Sequence, residues 1–568
     1  MLEFDKILEK CGDCHRLQFL MLLLFCIINL LSAMHYYSQT IISFVPRYWC
    51  ADGFNEHLTI RALDDIHGSD LDSSCQPAAT LHLLPSNVSS SSNVSTSYQS
   101  AATCQSYDYD YYMGYKSITS ELNWICNDAW KLTLGQSMFF VGSVVGSLIF
   151  GFMADCMGRL PILIAANLVA MLGNTLTIFG TTLPLFCIFR FISGMATDSN
   201  FVMMYILVME YLRPSLRTMG LSICIGFFYC IGSMAAPWIA VLMQSWRGFL
   251  LATSIPLAFV PLFYFIVPES VQWLVSKQKY DKAVKCLKQV AKINGKVVEE
   301  HIYTEFIDEC RKSQQHTKAG PNLLGLFATP RLRRNTLILF FKSIVITLSY
   351  DAVSRNVQGL GISPFIMFSL SATAILPACL LLILLQDRIG RKAMASMSLL
   401  VSGIFISVTG VILYSYTLAN VEHDIMLVVT LSIIGRFGVT VAYNSGAQYA
   451  TELIPTCVRG QGVAVVHVMG YGFTFFSSYI LSTRMVFTPL PEIILGIISL
   501  LGAGLCLFLP ETLNRTLPSS LEDGENFGKN ERWYSFSFLE ARTQSVDALA
   551  TSQSEQPSHS PRNSADYF

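Results

Sequence analysis

Twelve stretches of apolar side chains recur between Leu17 and Asn514, each about as long as the roughly 20-residue helix needed to cross a bilayer. Their approximate bounds are 17–37, 132–153, 160–180, 183–211, 217–241, 248–267, 335–356, 363–386, 393–416, 424–452, 460–482 and 487–509. A soluble protein could bury such runs only in a very large core. The elements covering that core would need more charge than this chain supplies, since 52% of its 568 residues are hydrophobic and 14% are charged. The expected fold is all-α and membrane-spanning. The first stretch is expected to stay as a helix, because no small-residue cleavage pattern follows it.

The net charge of −1 gives no reason to expect a nucleic-acid partner, but its distribution is informative. Short connections on one side carry Arg159, Arg213, Arg217, Arg388, Arg391, Lys392 and Arg459. The positive-inside tendency places that side, and with it both termini, in the cytoplasm. Residues 1–16 then form a cytoplasmic start and 17–267 a first six-helix half, interrupted by a large extracellular loop at 49–130. Cys50, Cys75, Cys104 and Cys126 in that loop predict two disulfides, with three pairings open. Asn87-Val-Ser89 and Asn93-Val-Ser95 are glycosylation sequons, as expected of a glycoprotein of the cell membrane; Asn514-Arg-Thr516, on the other side, is expected to be unused. Residues 268–334 form a Lys-rich linker whose spacing predicts amphipathic helices along the inner membrane surface. Residues 335–509 make the second half. From 510 to 568 the chain turns Ser-, Gln- and Glu-rich and loses hydrophobic periodicity, so a disordered tail is expected. It carries Ser560-Pro561 as a phosphorylation candidate, and its closing Asp566-Tyr567-Phe568 would suit a PDZ domain.

The two halves repeat one another. Glu210, Arg217, Gly220 and Pro268-Glu269 recur 242 residues later as Glu452, Arg459, Gly462 and Pro510-Glu511. Asp155-x-x-Gly158-Arg159 recurs 232 residues later as Asp387-x-x-Gly390-Arg391. Parallel duplicated halves are the mark of major facilitator transporters, so twelve helices in two pseudo-symmetric six-helix halves are expected. The glycines permit tight reversals between helices. The charges Asp155, Arg159, Glu210, Arg217, Asp387, Arg388, Arg391, Glu452 and Arg459 are expected to latch helix ends and so to act in gating.

Across nearly its whole length the chain resembles the organic cation, organic anion and carnitine transporters of that superfamily. The resemblance rests on the long four-cysteine loop and on Glu121-Leu-Asn-Trp-Ile-Cys126, Gly151-Phe-Met-Ala-Asp155, Arg190-Phe191-x-x-Gly194 and Trp246-Arg247. It continues in Pro268-Glu269-Ser270, Gly435-Arg436-Phe437-Gly438, Glu452-Leu-Ile-Pro455-Thr456-x-Val458-Arg459 and Pro510-Glu511-Thr512. It implies transport without ATP hydrolysis, and the sequence holds no Gly-x-x-x-x-Gly-Lys-Ser/Thr loop. Val271, Gln272 and Cys156 depart from the family pattern. At the eleventh-helix position where cation carriers resembling this chain tend to have Asp, and anion or carnitine carriers Arg, stands Tyr471; Ile375 replaces the usual eighth-helix acid. The resemblance therefore leaves the sign of the substrate open.

An ionisable side chain deep in a bilayer costs about 3 kcal/mol or more by insertion scales, so each needs a partner, water or a function. Asp198 falls near the middle of the fourth stretch, with Phe201 and Tyr205 following on one face. A carboxylate beside aromatic faces suits an amine or quaternary ammonium. In the seventh stretch Tyr350, Asp351 and Arg355 stand together, and Asp351 and Arg355 are spaced to pair with each other or, separately, to receive a zwitterion. Lys342 is expected to snorkel. The tenth stretch adds Arg436, Thr440, Tyr443, Asn444 and Gln448, and the eleventh a polar stripe of His467, Tyr471, Thr474 and Ser478. His467 is the residue suited to titrate near neutrality. No cofactor or metal is expected: Cys11-x-x-Cys14 lacks a second pair for a tetrahedral site, and no compact catalytic constellation appears.

The expected function is alternating-access transport of small organic cations or zwitterions (amines, carnitine-like or β-amino-acid-like molecules), with a proton or sodium ion as candidate coupling ion and the bilayer as setting. Two alternatives stand beside it: an organic anion carrier using Arg355, Arg436 or Lys342, and a receptor or scaffold that keeps the fold without transporting.

Overall fold

A computed structural model describes residues 2–12, 14–50, 75, 104, 106–212, 224–316, 323–360, 362–419, 424–513, 515, 517–518, 520–529 and 536. Twelve helices among them are long and apolar enough to cross a membrane. They are α1 (Arg16–Ile42), α2 (Cys126–Met157), α3 (Arg159–Thr177), α4 (Leu183–Tyr211), α5 (Ile225–Met243), α6 (Trp246–Phe265), α7 (Pro330–Arg355), α8 (Pro364–Ile389), α9 (Arg391–Ala419), α10 (Ile425–Leu453), α11 (Thr456–Met485) and α12 (Leu490–Leu507). Their outer faces leave Phe152, Phe259, Phe265, Leu384, Met426 and Leu501 exposed, a girdle only lipid would cover at no cost. The chain is a multi-pass membrane protein of two six-helix halves. One end of the bundle carries the long loop after α1 and the other carries the linker after α6.

Several helices bend where their residues require it. Pro256 and Pro261 cannot donate backbone hydrogen bonds, and α6 tightens to 3₁₀ geometry over Ile255–Phe265. Helix α5 opens into a π turn at Ile225–Tyr229. The interruption that matters most lies in α4, which runs regularly over Leu183–Met195 and again over Ser199–Tyr211, with a turn at 196–198 between. Just ahead of that turn α2 and α4 meet backbone to backbone. A Cβ on Gly146 would lie 1.8 Å from the Met195 carbonyl oxygen, and one on Gly194 would lie 1.9 Å from that of Phe139. Small residues are what allow spanning helices this close.

At the long-loop end, β1 (Arg47–Cys50) pairs antiparallel with β2 (Tyr107–Asp110). Cys75 is bridged to Cys126, and Cys104 is also disulfide-bonded. The side chain of Cys50 and both sequons, Asn87 and Asn93, lie outside the described residues. Glu121 fastens this cap to the α5–α6 turn: it accepts from Trp246 Nε1 at 2.7 Å and pairs with Arg247 at 2.5 Å. Phe44 and Tyr115 then pack edge-on against Phe365 at the start of α8, with ring centroids 5.0 and 5.3 Å apart, and seal the two halves together.

The linker forms an amphipathic helix, as its spacing suggests, but one whose apolar face is turned to protein. The apolar face of helix Tyr280–Asn294, made of Ala283, Leu287, Val290 and Ala291, is buried in the core shared with Ile7, Leu8 and the linker ends of α1 and α4. Asn294 donates to the carbonyls of Cys11 and Gly12 (3.2 and 2.8 Å) and accepts from Leu17 N at 2.9 Å, which fixes the start of the chain to α1. Burial also pushes the Cys11 thiol up to about 11. The tail is likewise not structureless from residue 510, because helix Leu521–Asn526 docks on the second half. Ser560 and the closing Asp566-Tyr567-Phe568 lie outside the described residues.

Candidate substrate site and gates

The turn in α4 puts Asp198 at the N-cap of the helix segment Ser199–Tyr211, where the unpaired backbone amides of a helix start favour a negative charge. Its carboxylate accepts from Ser147 Oγ of α2 at 3.4 Å, and among the described residues no Lys or Arg lies within ion-pair distance of it. Asp198 is half-buried although it sits near the middle of a span, and His467 of α11 acts on it electrostatically. Around it the second half supplies a row of rings. His467 stacks on Tyr471 with centroids 6.4 Å apart, the Tyr443 and Tyr471 hydroxyls are 2.8 Å apart, and Tyr443 stacks on Tyr350 at 4.4 Å. Phe201 and Tyr205 lie tilted to each other with centroids 6.1 Å apart on the first-half side and share Phe25 of α1. Among the described residues this carboxylate has no Lys or Arg partner, and a carboxylate beside aromatic faces attracts organic cations in general.

Asp351 and Arg355 stand apart from this cluster, at the long-loop end. They form a buried ion pair of 2.7 Å. Ser477 Oγ donates to Asp351 at 2.5 Å, and Tyr36 of α1 donates its hydroxyl to the other carboxylate oxygen. Arg355 also donates to Gln136 of α2 at 3.4 Å and lies 4.9 Å from the Phe140 ring centroid. Both halves therefore meet on one pair. Arg436 adds a second cross-half contact, donating to the Tyr37 hydroxyl at 3.1 Å while its guanidinium lies 4.4 Å from the Tyr350 ring centroid. Cross-half hydrogen bonds cluster from mid-membrane to the long-loop end.

At the linker end each half is stapled to itself. Gly158 and Gly390 adopt φ of 111° and 101°, so both turns need glycine. After them, Arg159 pairs with Asp155 at 3.1 Å and Arg391 with Asp387 at 2.9 Å. The backbone N–H of Arg159 donates to Glu269 at 2.9 Å, and that of Arg391 to Glu511 at 3.0 Å. Ser270 Oγ donates to Glu210 and Thr512 Oγ1 to Glu452, both at 2.5 Å. Among the described residues the arginine reaches the helix-end acid in the second half alone, Arg391 Nε lying 3.1 Å from Glu452.

Some expected groupings are therefore rearranged. Glu452 pairs with Arg391 and not with Arg459, whose Nε donates to Ile454 O at 3.3 Å within its own turn. Arg217 lies outside the described residues, and Arg388 points out, exposed. Gln448 belongs to the latch, donating to Glu452 at 2.9 Å and accepting from Gln386 at 2.6 Å, and not to the Asp198 cluster. Lys342 does not snorkel: it is buried, donating to Gly446 O at 2.8 Å over the Tyr449 ring. Glu269 and Glu511, the backbone-binding acids, were visible in the repeat as Pro-Glu pairs. Gln136, Ser147 and Ser477 gave no signal, because an isolated hydroxyl or amide in an apolar run does not announce its neighbour.

A family model for sugar (and other) transporters matches residues 84–521. The organic cation transporter protein of Drosophila melanogaster is 30% identical over 433 residues, covering 75% of this chain and 77% of that protein. Human solute carrier family 22 member 2 is 31% identical over 417 residues, 72% of each, and organic anion transporter 3 of Oryctolagus cuniculus is 31% identical over 414 residues, 72% of this chain and 74% of that one. Among solved structures, the major facilitator superfamily proton:xylose symporter XylE bound to 6-bromo-6-deoxy-D-glucose aligns with a TM-score of 0.55 at 16% identity, covering 88% of this chain and 98% of that one. An inward open conformation of XylE from E. coli gives 0.55 at 16% identity, with 89% and 99% covered. At that identity the likeness is one of fold.

Proposed function

The chain belongs to the sugar (and other) transporter family and, with its solute carrier 22 relatives, to the organic-ion transporters; from that premise we propose that it carries small organic cations or zwitterions by alternating access. It is a membrane transporter and not an enzyme. The observation that carries the substrate class is Asp198, a half-buried mid-membrane carboxylate that faces Tyr443, Tyr471 and His467 across the halves and, among the described residues, has no Lys or Arg in ion-pair reach. A cation that replaces the missing partner recovers the cost of placing the acid there. Rings around it add up to about 2 kcal/mol of cation–π attraction when desolvated.

An anion carrier finds less support. Arg355 is already ion-paired, Arg436 is engaged with Tyr37 and Tyr350, and Lys342 is buried against a carbonyl. In our reading Asp155, Arg159, Glu210, Asp387, Arg391 and Glu452 keep each half rigid, and Asp351 with Arg355 closes the long-loop end, so the described state opens the site toward the linker. The linker end is cytoplasmic in this account, because it holds the short Arg-rich turns.

Uptake into expressing cells, challenged separately by an amine, a carnitine-like zwitterion and a dicarboxylate, tests the class. Competition by the first two and not the third is expected, and dicarboxylate competition alone contradicts the proposal. Absence of accelerated exchange from preloaded vesicles would instead favour the scaffold alternative. Repeating uptake at two pH values and without sodium identifies the coupling ion.

A further inference from the structure

The segment after α12 returns across the linker end of the second half. Thr456 donates its backbone N–H and its hydroxyl to Pro518 O at 3.0 and 3.1 Å. Leu521 fills the space beside Gly325, where a Cβ would lie 2.4 Å from it, and Gly524 and Phe527 close an apolar slot lined by Leu326, Leu332, Leu453 and Ile454. Glu525 then places its two carboxylate oxygens on the backbone N–H groups of Arg331 (3.2 Å) and Leu332 (2.7 Å), capping the start of α7. Arg331 donates in turn to Lys529 O at 3.2 Å. Apolar contact and hydrogen bonds thus hold a six-residue helix, Leu521–Asn526, against a spanning helix that must move during transport.

This clasp depends on one exposed hydroxyl. Ser520 Oγ accepts from Asp523 N at 3.1 Å while Asp523 accepts from Ser520 N at 3.0 Å, the reciprocal box that starts the helix. Acids follow Ser520 at the second, third and fifth positions, Glu522, Asp523 and Glu525, with no basic residue before Lys529. That pattern is the chemistry an acid-directed protein kinase recognises. We propose that Ser520 is a phosphorylation site whose modification releases the tail clasp from α7. In the step, the Ser520 hydroxyl oxygen attacks the γ-phosphorus of ATP; the O–P bond forms, ADP leaves, and the hydroxyl proton passes to the kinase base. The product adds about 1.5 to 2 negative charges at neutral pH beside the Asp523 carboxylate, whose repulsion drives it off the Ser520 amide and opens the helix start. Glu525 and Phe527 then leave α7 together.

The test uses the purified full-length carrier, ATP and an acid-directed serine kinase, so it does not depend on the proposed cytoplasmic orientation. Mass spectrometry is expected to find phosphate on Ser520. Limited trypsin digestion, followed at the bond after Lys529, is expected to run at least threefold faster after modification. In Ser520→Ala the kinase treatment is expected to change nothing further in that rate. No phosphate at Ser520, or phosphate there with an unchanged cleavage rate, overturns the proposal. Loss of cation uptake would bear on Asp198 and leave this result untouched.

Discussion

Helices α4 and α10 each carry an Arg-Phe pair and end at a glutamate that joins a linker-end latch, yet twenty residues separate Arg190 from Glu210 and sixteen separate Arg436 from Glu452. The difference is close to one helical turn, and the longer spacing belongs to the helix interrupted at 196–198, where Asp198 sits. Helix α10 runs unbroken from Ile425 to Leu453. Their arginines diverge too. Arg190 stays inside its own half, 4.6 Å from the Phe139 ring centroid and 3.4 Å from Asn174, whereas Arg436 crosses to Tyr37. Duplication has kept the ends of the two helices and has let their middles differ, an acid standing mid-helix in α4 and none in α10.

The largest expected effect breaks the contact that joins the halves. Asp351→Ala or Arg355→Ala leaves a buried charge alone and is expected to cost about 3–5 kcal/mol. The doubly neutral Asp351→Asn/Arg355→Gln is expected to recover most of it, read by thermal unfolding in detergent. If the double variant is no more stable than the worse single one, the pair is not the unit described. The latches come next. Glu452→Gln loses an ion pair with Arg391 that has no counterpart at Glu210 among the described residues, so it is expected to destabilise by about 1–2 kcal/mol more than Glu210→Gln. Glu269→Gln and Glu511→Gln, whose backbone partners match, are expected to agree within about 0.5 kcal/mol. Unequal losses there would show that the two turns only look alike. The smallest effect belongs to Tyr471→Phe, which removes one hydroxyl contact to Tyr443. A cost of about 1 kcal/mol, roughly a fivefold rise in KM for a cation, is expected, and an unchanged KM would take Tyr471 out of the site.

Span positions and the duplication were legible because both depend on residue type along the chain, and lipid enforces the first directly. The α4 interruption was written in the unequal Arg-to-Glu spacing, which becomes meaningful only once the two helices are known to correspond. Depth was harder to read. Gln448 and Tyr443 lie on the same helix, yet one reaches the latch and the other the Asp198 cluster, because a shared helix does not set height in the bundle. Lys342 was misplaced for a local reason: Gly446 leaves room for its ammonium to reach a backbone carbonyl, and that vacancy lies on another helix. The tail clasp escaped notice because six helical residues are too few to display periodicity.

Binding of a radiolabelled quaternary ammonium to the purified carrier, wild type against Asp198→Asn, measures the central assignment without the complications of uptake. The substitution keeps the side chain's size and removes its charge, so affinity is expected to fall at least thirtyfold, about 2 kcal/mol, while thermal stability holds or rises. Equal affinity in the two proteins would mean that the cation is held elsewhere.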